Sequence, residues 1–111
     1  MADCIFCKIA SGEIKGNVVY QDEHVTAFRD LNPQAPTHIL IIPNSHVANI
    51  ADLSDSDLSQ RLLRAAAKIA DDEKLSNGWR LVTNVGPDAG QTVFHLHWHL
   101  LGGRHMSWPP G

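Results

Sequence analysis

His95-Leu96-His97-Trp98-His99-Leu100-Leu101, residues 95 to 101, alternates imidazoles with large apolar side chains. Strand side chains repeat every two residues, so this spacing predicts a strand from Thr92 to Leu101 with three histidines on one face, roughly 6.6 Å between successive rings. Leu96, Trp98 and Leu100 then face a core. Three imidazoles on one strand support two chemistries: neutral nitrogen ligands for a metal, or a nucleophile with a proton carrier and an orienting partner. A half-exposed strand that merely carries surface histidines is the plain alternative.

Before this strand lies Asn84-Val85-Gly86-Pro87-Asp88-Ala89-Gly90-Gln91-Thr92, whose glycines would let backbone N–H groups converge on an anion beside the histidines. It equally reads as an ordinary connection between neighbouring strands, and it is not a Walker loop. Further upstream, Trp79 to Thr83 reads as a strand. A helix is expected from Ser54 to about Leu75, with Ser54 as N-cap, Asp55 and Asp57 in the first turn, and Leu58, Leu62, Leu63, Ala66, Ile69 and Ala70 on the buried stripe. Asn77-Gly78 would close it.

His38-Ile39-Leu40-Ile41-Ile42 is nearly all apolar, as expected of a central strand covered on both faces, with Pro43 ending it. Val18 to Tyr20 and Val25 to Phe28 form a hairpin across Gln21 to His24. Cys4 to Ala10 forms a short helical turn that puts Cys4 and Cys7 on one face. The order of elements predicts an α+β domain with a mainly antiparallel five-stranded sheet, one long helix and a short N-terminal helix.

The chain has 111 residues, of which 43% are hydrophobic and 19% charged, enough for one folded domain and too short for two. Nine Lys and Arg against 12 Asp and Glu leave a net charge of -3, without the basic excess that binds a nucleic-acid backbone. A single nucleotide needs only a few local donors and stays compatible with that balance. The start, Met1-Ala2-Asp3-Cys4, lacks a basic and apolar leader, and no apolar run is long enough to span a bilayer, so a cytoplasmic protein without membrane partners is expected. Cys4 and Cys7 are the only cysteines, too close for a useful disulfide framework.

Residues 95 to 101 fit the His-φ-His-φ-His-φ-φ signature, and the chain resembles the histidine triad (HIT) family of nucleotide hydrolases and transferases. The resemblance extends over Ile5-Phe6-Cys7-Lys8-Ile9, Phe28 to His38, Gly90-Gln91-Thr92-Val93, Leu101-Gly102-Gly103-Arg104 and Trp108-Pro109-Pro110-Gly111. The tail is similar to the Hint branch, purine nucleoside phosphoramidases. The resemblance implies hydrolysis of AMP or GMP joined through P–N to an amine or lysine. His97 would be the nucleophile that forms a nucleotidyl-histidine, with the proton on its other ring nitrogen held by a backbone acceptor.

It further implies that His99 contacts phosphate oxygens and assists proton transfer, that His38 is a buried histidine supporting the catalytic one, and that His95 completes the triad. Thr92, where the family's usual residue is Ser, would hydrogen-bond the leaving amine. Asp30 would bind the ribose hydroxyls; Ile5, Phe6, Ile9, Phe28 and Leu31 would wall the purine pocket; Asn84, Gly90, Gln91 and Val93 would make phosphate-side contacts. Cys4-x-x-Cys7 is half a zinc site, which His46 and His95 would complete as they do in some family members, making the zinc structural and not catalytic. Two reduced, half-buried thiols are the alternative. Trp108 is costly to leave in water, and the resemblance implies a homodimer in which residues 102 to 111 reach the partner's site. Two other classes remain open: a zinc-dependent hydrolase with the triad as first shell, and a non-catalytic nucleotide-binding or interaction module.

Overall fold

The computed structural model describes residues 3–111. β3 (Thr37–Pro43) explains the architecture best, because its run of apolar residues is buried on both faces. Ile39 and Ile41 enter a core with Val25, Ala27, Leu62, Ala66, Ile69, Leu96 and Leu100, while Leu40 and Ile42 pack on the opposite face against Phe6, Ile9 and Phe28. A strand with two apolar faces needs cover on both. The long helix α2 (Ser56–Asp72) supplies it on one side and the short helix α1 (Ile5–Ser11) on the other.

Around β3 the strands β1 (Val18–Gln21), β2 (Val25–Arg29), β4 (Trp79–Thr83) and β5 (Trp98–Gly102) make one five-stranded sheet, ordered β1-β2-β3-β5-β4. Every neighbouring pair is antiparallel. The α+β expectation therefore holds, with the sheet antiparallel throughout. Among the described residues no helix is long and apolar enough to cross a membrane.

Four local expectations are corrected. Asp55, not Ser54, caps α2, because its carboxylate accepts the N–H groups of both Asp57 (3.0 Å) and Leu58 (3.1 Å). The helix ends at Asp72, well before Asn77-Gly78: Lys74 takes the left-handed conformation (φ 60°), and Glu73 is drawn into a two-pronged ion pair with Arg29 at 2.9 and 3.0 Å. On the buried stripe, Leu63 is half exposed and Ala65 takes the inward position.

The fourth lies at the site. β5 begins at Trp98, so Thr92 to His97 precede the strand. The ladder fails where β3 reaches Pro43, which has no N–H to offer the facing chain. Leu96 N–H turns instead to Val47 O at 2.6 Å. Leu96 nevertheless enters the α2-side core while His95 and His97 contact Phe6 on the other side, so alternation survives without the ladder.

Candidate active site

His97 is 8% exposed, set edge-on to Phe6 and to His99 with ring centroids 5.1 and 5.0 Å away. Its Nδ1 lies 2.8 Å from the backbone oxygen of His95. A carbonyl only accepts, so Nδ1 carries the proton and Nε2 keeps its lone pair. This is the form of imidazole that can attack an electrophile.

A second chain of bonds sets the protonation of His99. Gln34 N–H donates to His38 Nδ1 at 3.0 Å, which places the His38 proton on Nε2. That Nε2 lies 2.9 Å from His99 Nδ1 and 3.4 Å from Asp30 Oδ2. His99 therefore accepts at Nδ1 and bears its proton on Nε2, as a donor toward an incoming oxygen or leaving nitrogen. Burial lowers the His38 pKa, opposed by Asp30. Burial, then His97 and His38, lower that of His99 to about 4. Both are neutral at pH 7.

A recess of about 310 Å³ opens beside His38 and His99, walled by Val82, Asn84, Arg80 and Arg104. The facing positions follow from register: His99 pairs with Leu40 and Val82, and His38 with Leu101. Thr92 and Val93 line a different recess of about 470 Å³ with Ile5, Phe94, Cys4 and His46. The structure thus gathers His38, His97 and His99, while Thr92 and His99 open onto separate spaces.

Of the expected purine walls, Phe6, Ile9 and Phe28 are buried, Ile5 is half exposed and Leu31 is 99% exposed. Asp30 Oδ1 accepts Asn32 N–H at 2.8 Å, leaving Oδ2 as an acceptor 3.4 Å from His38 Nε2. The glycine loop is closed on itself. Gly90 N–H bonds to Pro87 O (3.0 Å), Gln91 N–H to Gly86 O (3.0 Å), and Gly86 N–H to Gln91 Oε1 (3.0 Å). The anion nest expected from its glycines is therefore not formed by these three groups. Gln91, expected at the phosphate, is 4% exposed, with its amide engaged inside the protein.

The remaining cluster is metal-like. Cys4 Sγ lies 3.3 Å and Cys7 Sγ 3.5 Å from His95 Nδ1; Cys7 Sγ lies 3.5 Å from His46 Nδ1, and the two Nδ1 atoms are 3.2 Å apart. Tetrahedral zinc with arms of about 2.3 Å to sulfur and 2.0 Å to nitrogen spaces its donors about 3.3 to 3.8 Å apart. The four residues fit. His95 Nε2 faces Pro43 O at 2.8 Å, which puts the proton there and leaves Nδ1 free to ligate. Among the described residues, the ligand atoms that converge are this set and Asp30, His38 and His99. The three triad imidazoles form no such group, which counts against the triad as a metal's first shell.

Sequence reasoning missed several supporting residues. Thr83 Oγ1 donates to His97 O at 2.8 Å, Arg80 Nη2 to Ser107 O at 3.1 Å, and Arg104 Nε to Gln34 O at 3.0 Å. Only the strand register, which brings Thr83 opposite Trp98, reveals the first. Trp108 is 80% exposed, with the Arg80 guanidinium 5.9 Å from its ring centroid.

The family described as HIT domain matches residues 11–106. A HIT-like protein of Synechococcus elongatus is 50% identical over 98% of this chain and 97% of its own length. A 14 kDa zinc-binding protein of Zea mays is 50% identical over 96% of this chain and 87% of its own. In three dimensions, a HIT family hydrolase from Legionella pneumophila superposes with a TM-score of 0.95 at 55% identity, covering 98% of this chain and 100% of that one.

Proposed function

The chain belongs to the HIT domain family, and from that premise we propose that it hydrolyses purine nucleoside phosphoramidates through a nucleotidyl-histidine. The observation that carries this reading is the 2.8 Å contact from His97 Nδ1 to His95 O, which leaves Nε2 unprotonated beside a neutral His99. In the first step His97 Nε2 bonds to the α-phosphorus and the P–N bond breaks. The amine departs with a proton, delivered from His99 Nε2. In the second step water bonds to phosphorus, its proton passes to His99, and the P–N bond to His97 breaks to release the nucleotide.

On this reading Asp30 Oδ2 takes the ribose hydroxyls, since a carboxylate only accepts. Phe6, Ile9 and Phe28 form the floor of the base site, and Ile5 and Leu31 are exposed apolar residues that a purine would cover. Asn84, in the recess of His99, would contact the phosphate, and Gly90, with Thr92 and Val93 from the side of the neighbouring recess, would approach the phosphate and leaving group. Cys4, Cys7, His46 and His95 would hold a structural zinc, consistent with the donor spacing and with the relatives named zinc-binding proteins. A closed four-ligand shell stiffens the path from α1 to His95 and offers substrate no open position.

The same reading has the chain pair with a second copy, covering Trp108 and the half-exposed Trp79 at the outer strand β4, with residues 102–111 near the partner's site. Light scattering that returned only a monomer would overturn that part.

The test is to quench the protein during turnover of adenosine 5′-phosphoramidate and map the adduct by mass spectrometry. An adenylyl group on His97 is expected. Turnover with no adduct, or an adduct elsewhere, overturns the mechanism. AMP binding without cleavage of any phosphoramidate would favour the non-catalytic module.

A further inference from the structure

Thr92 to His97 have no strand ladder to hold them, since β5 begins only at Trp98. Something else must fix the segment that carries the proposed nucleophile. Gln91 stands at its head, 4% exposed, and every polar atom of its side chain is bonded to backbone. Oε1 accepts Gly86 N–H at 3.0 Å; Nε2 donates to Ala48 O at 2.8 Å and to Val93 O at 3.2 Å. One amide thereby joins the loop after β4, the segment after β3 and the approach to the triad. Its own N–H closes the loop further by bonding to Gly86 O at 3.0 Å.

We propose that Gln91 is a positioning residue: its buried amide clasps three backbone segments and so holds Thr92, Val93 and the run to His97 in register with His99. This rests on the phosphoramidase reading of the site and replaces the expectation that Gln91 contacts phosphate. A buried amide whose two N–H groups are both taken has no donor to offer a phosphate, whereas three bonds to three segments are what a clasp needs. The effect on chemistry follows from geometry, because small misplacements of reacting groups cost rate far more than they cost ground-state binding.

Gln91→Met removes all three bonds at similar volume. Gln91→Glu keeps an acceptor for Gly86 N–H but gives Ala48 O and Val93 O no donor. After thermal unfolding shows which variants fold, three quantities are measured: kcat on adenosine 5′-phosphoramidate, the Kd for AMP, and amide hydrogen exchange at Gly86. We expect kcat to fall at least roughly tenfold in both variants with AMP affinity at the wild-type level. Gly86 should exchange faster in Gln91→Met and stay protected in Gln91→Glu. Unchanged kcat in either variant, or AMP affinity falling in step with kcat, overturns the positioning role. If neither variant folds, Gln91 is a stability residue only and the proposal is dropped. A wild-type protein that leaves the phosphoramidate uncut overturns the phosphoramidase reading instead, and the clasp is then judged on Gly86 exchange alone.

Discussion

The backbone oxygen of His95 holds the Nδ1 proton of His97 at 2.8 Å, while the ring of His95 itself points Nδ1 at Cys4, Cys7 and His46. One residue therefore orients the proposed nucleophile with its main chain and completes the metal-like cluster with its side chain. The first histidine of the triad is structural in both senses.

Replacing His97 with Ala removes the only imidazole whose free Nε2 is set by the His95 carbonyl. Turnover of adenosine 5′-phosphoramidate should fall by at least about a thousandfold, as when a covalent nucleophile is lost. AMP binding, anchored at Asp30 and Phe28, should persist, and circular dichroism should match the wild type. Near-normal kcat in that variant would remove covalent catalysis.

The pH dependence of stability has a definite sign. Burial holds His38 and His99 below the ordinary histidine pKa, His99 at about 4. Between pH 6.5 and 4 the unfolded chain takes up protons at these positions before the native one does, so stability falls as pH falls through that window. Urea unfolding at pH 7, 5.5 and 4.5 should show the loss, and His99→Gln should flatten it. A wild-type profile that is level across the window contradicts neutral burial of these rings.

Cys7→Ala should abolish binding of about one zinc per chain, measured by elemental analysis, and lower Tm, because metal affinity adds to folding stability. The kcat of the folded variant should stay within about tenfold of wild type, since a closed shell takes no part in the chemistry. Full loss of turnover on chelation from a still-folded protein would make the metal catalytic.

Leu62 is 1% exposed and Leu63 is half exposed. Leu62→Ala should cost about 3 kcal/mol and Leu63→Ala less than about 0.5 kcal/mol. Equal costs in thermal unfolding would mean that α2 is rotated relative to the sheet.

Much of this was legible in local pattern. The unbroken run in Thr37–Pro43 announced a strand covered on two sides, and the spacing of Leu58, Leu62, Ile69 and Ala70 announced α2, because burial periodicity is written directly into which residues are apolar. The alternation of His95, His97 and His99 placed the rings on one side. Choices between near-equal local options were less legible: Ser54 and Asp55 both cap helices well, and the sheet decides which of Leu63 and Ala65 turns inward.

By itself, then, the order of residues determined the α+β class, the central strand and the pool of imidazoles and thiols, since those depend on side-chain chemistry and short-range spacing. Tertiary structure alone decided that β5 starts at Trp98, that Gln91 braces the loop, and that Cys4 and His95, 91 positions apart, stand 3.3 Å from one another. Such contacts depend on strand register and on which backbone groups are left without a partner where Pro43 interrupts the ladder. No window of neighbouring residues contains that information.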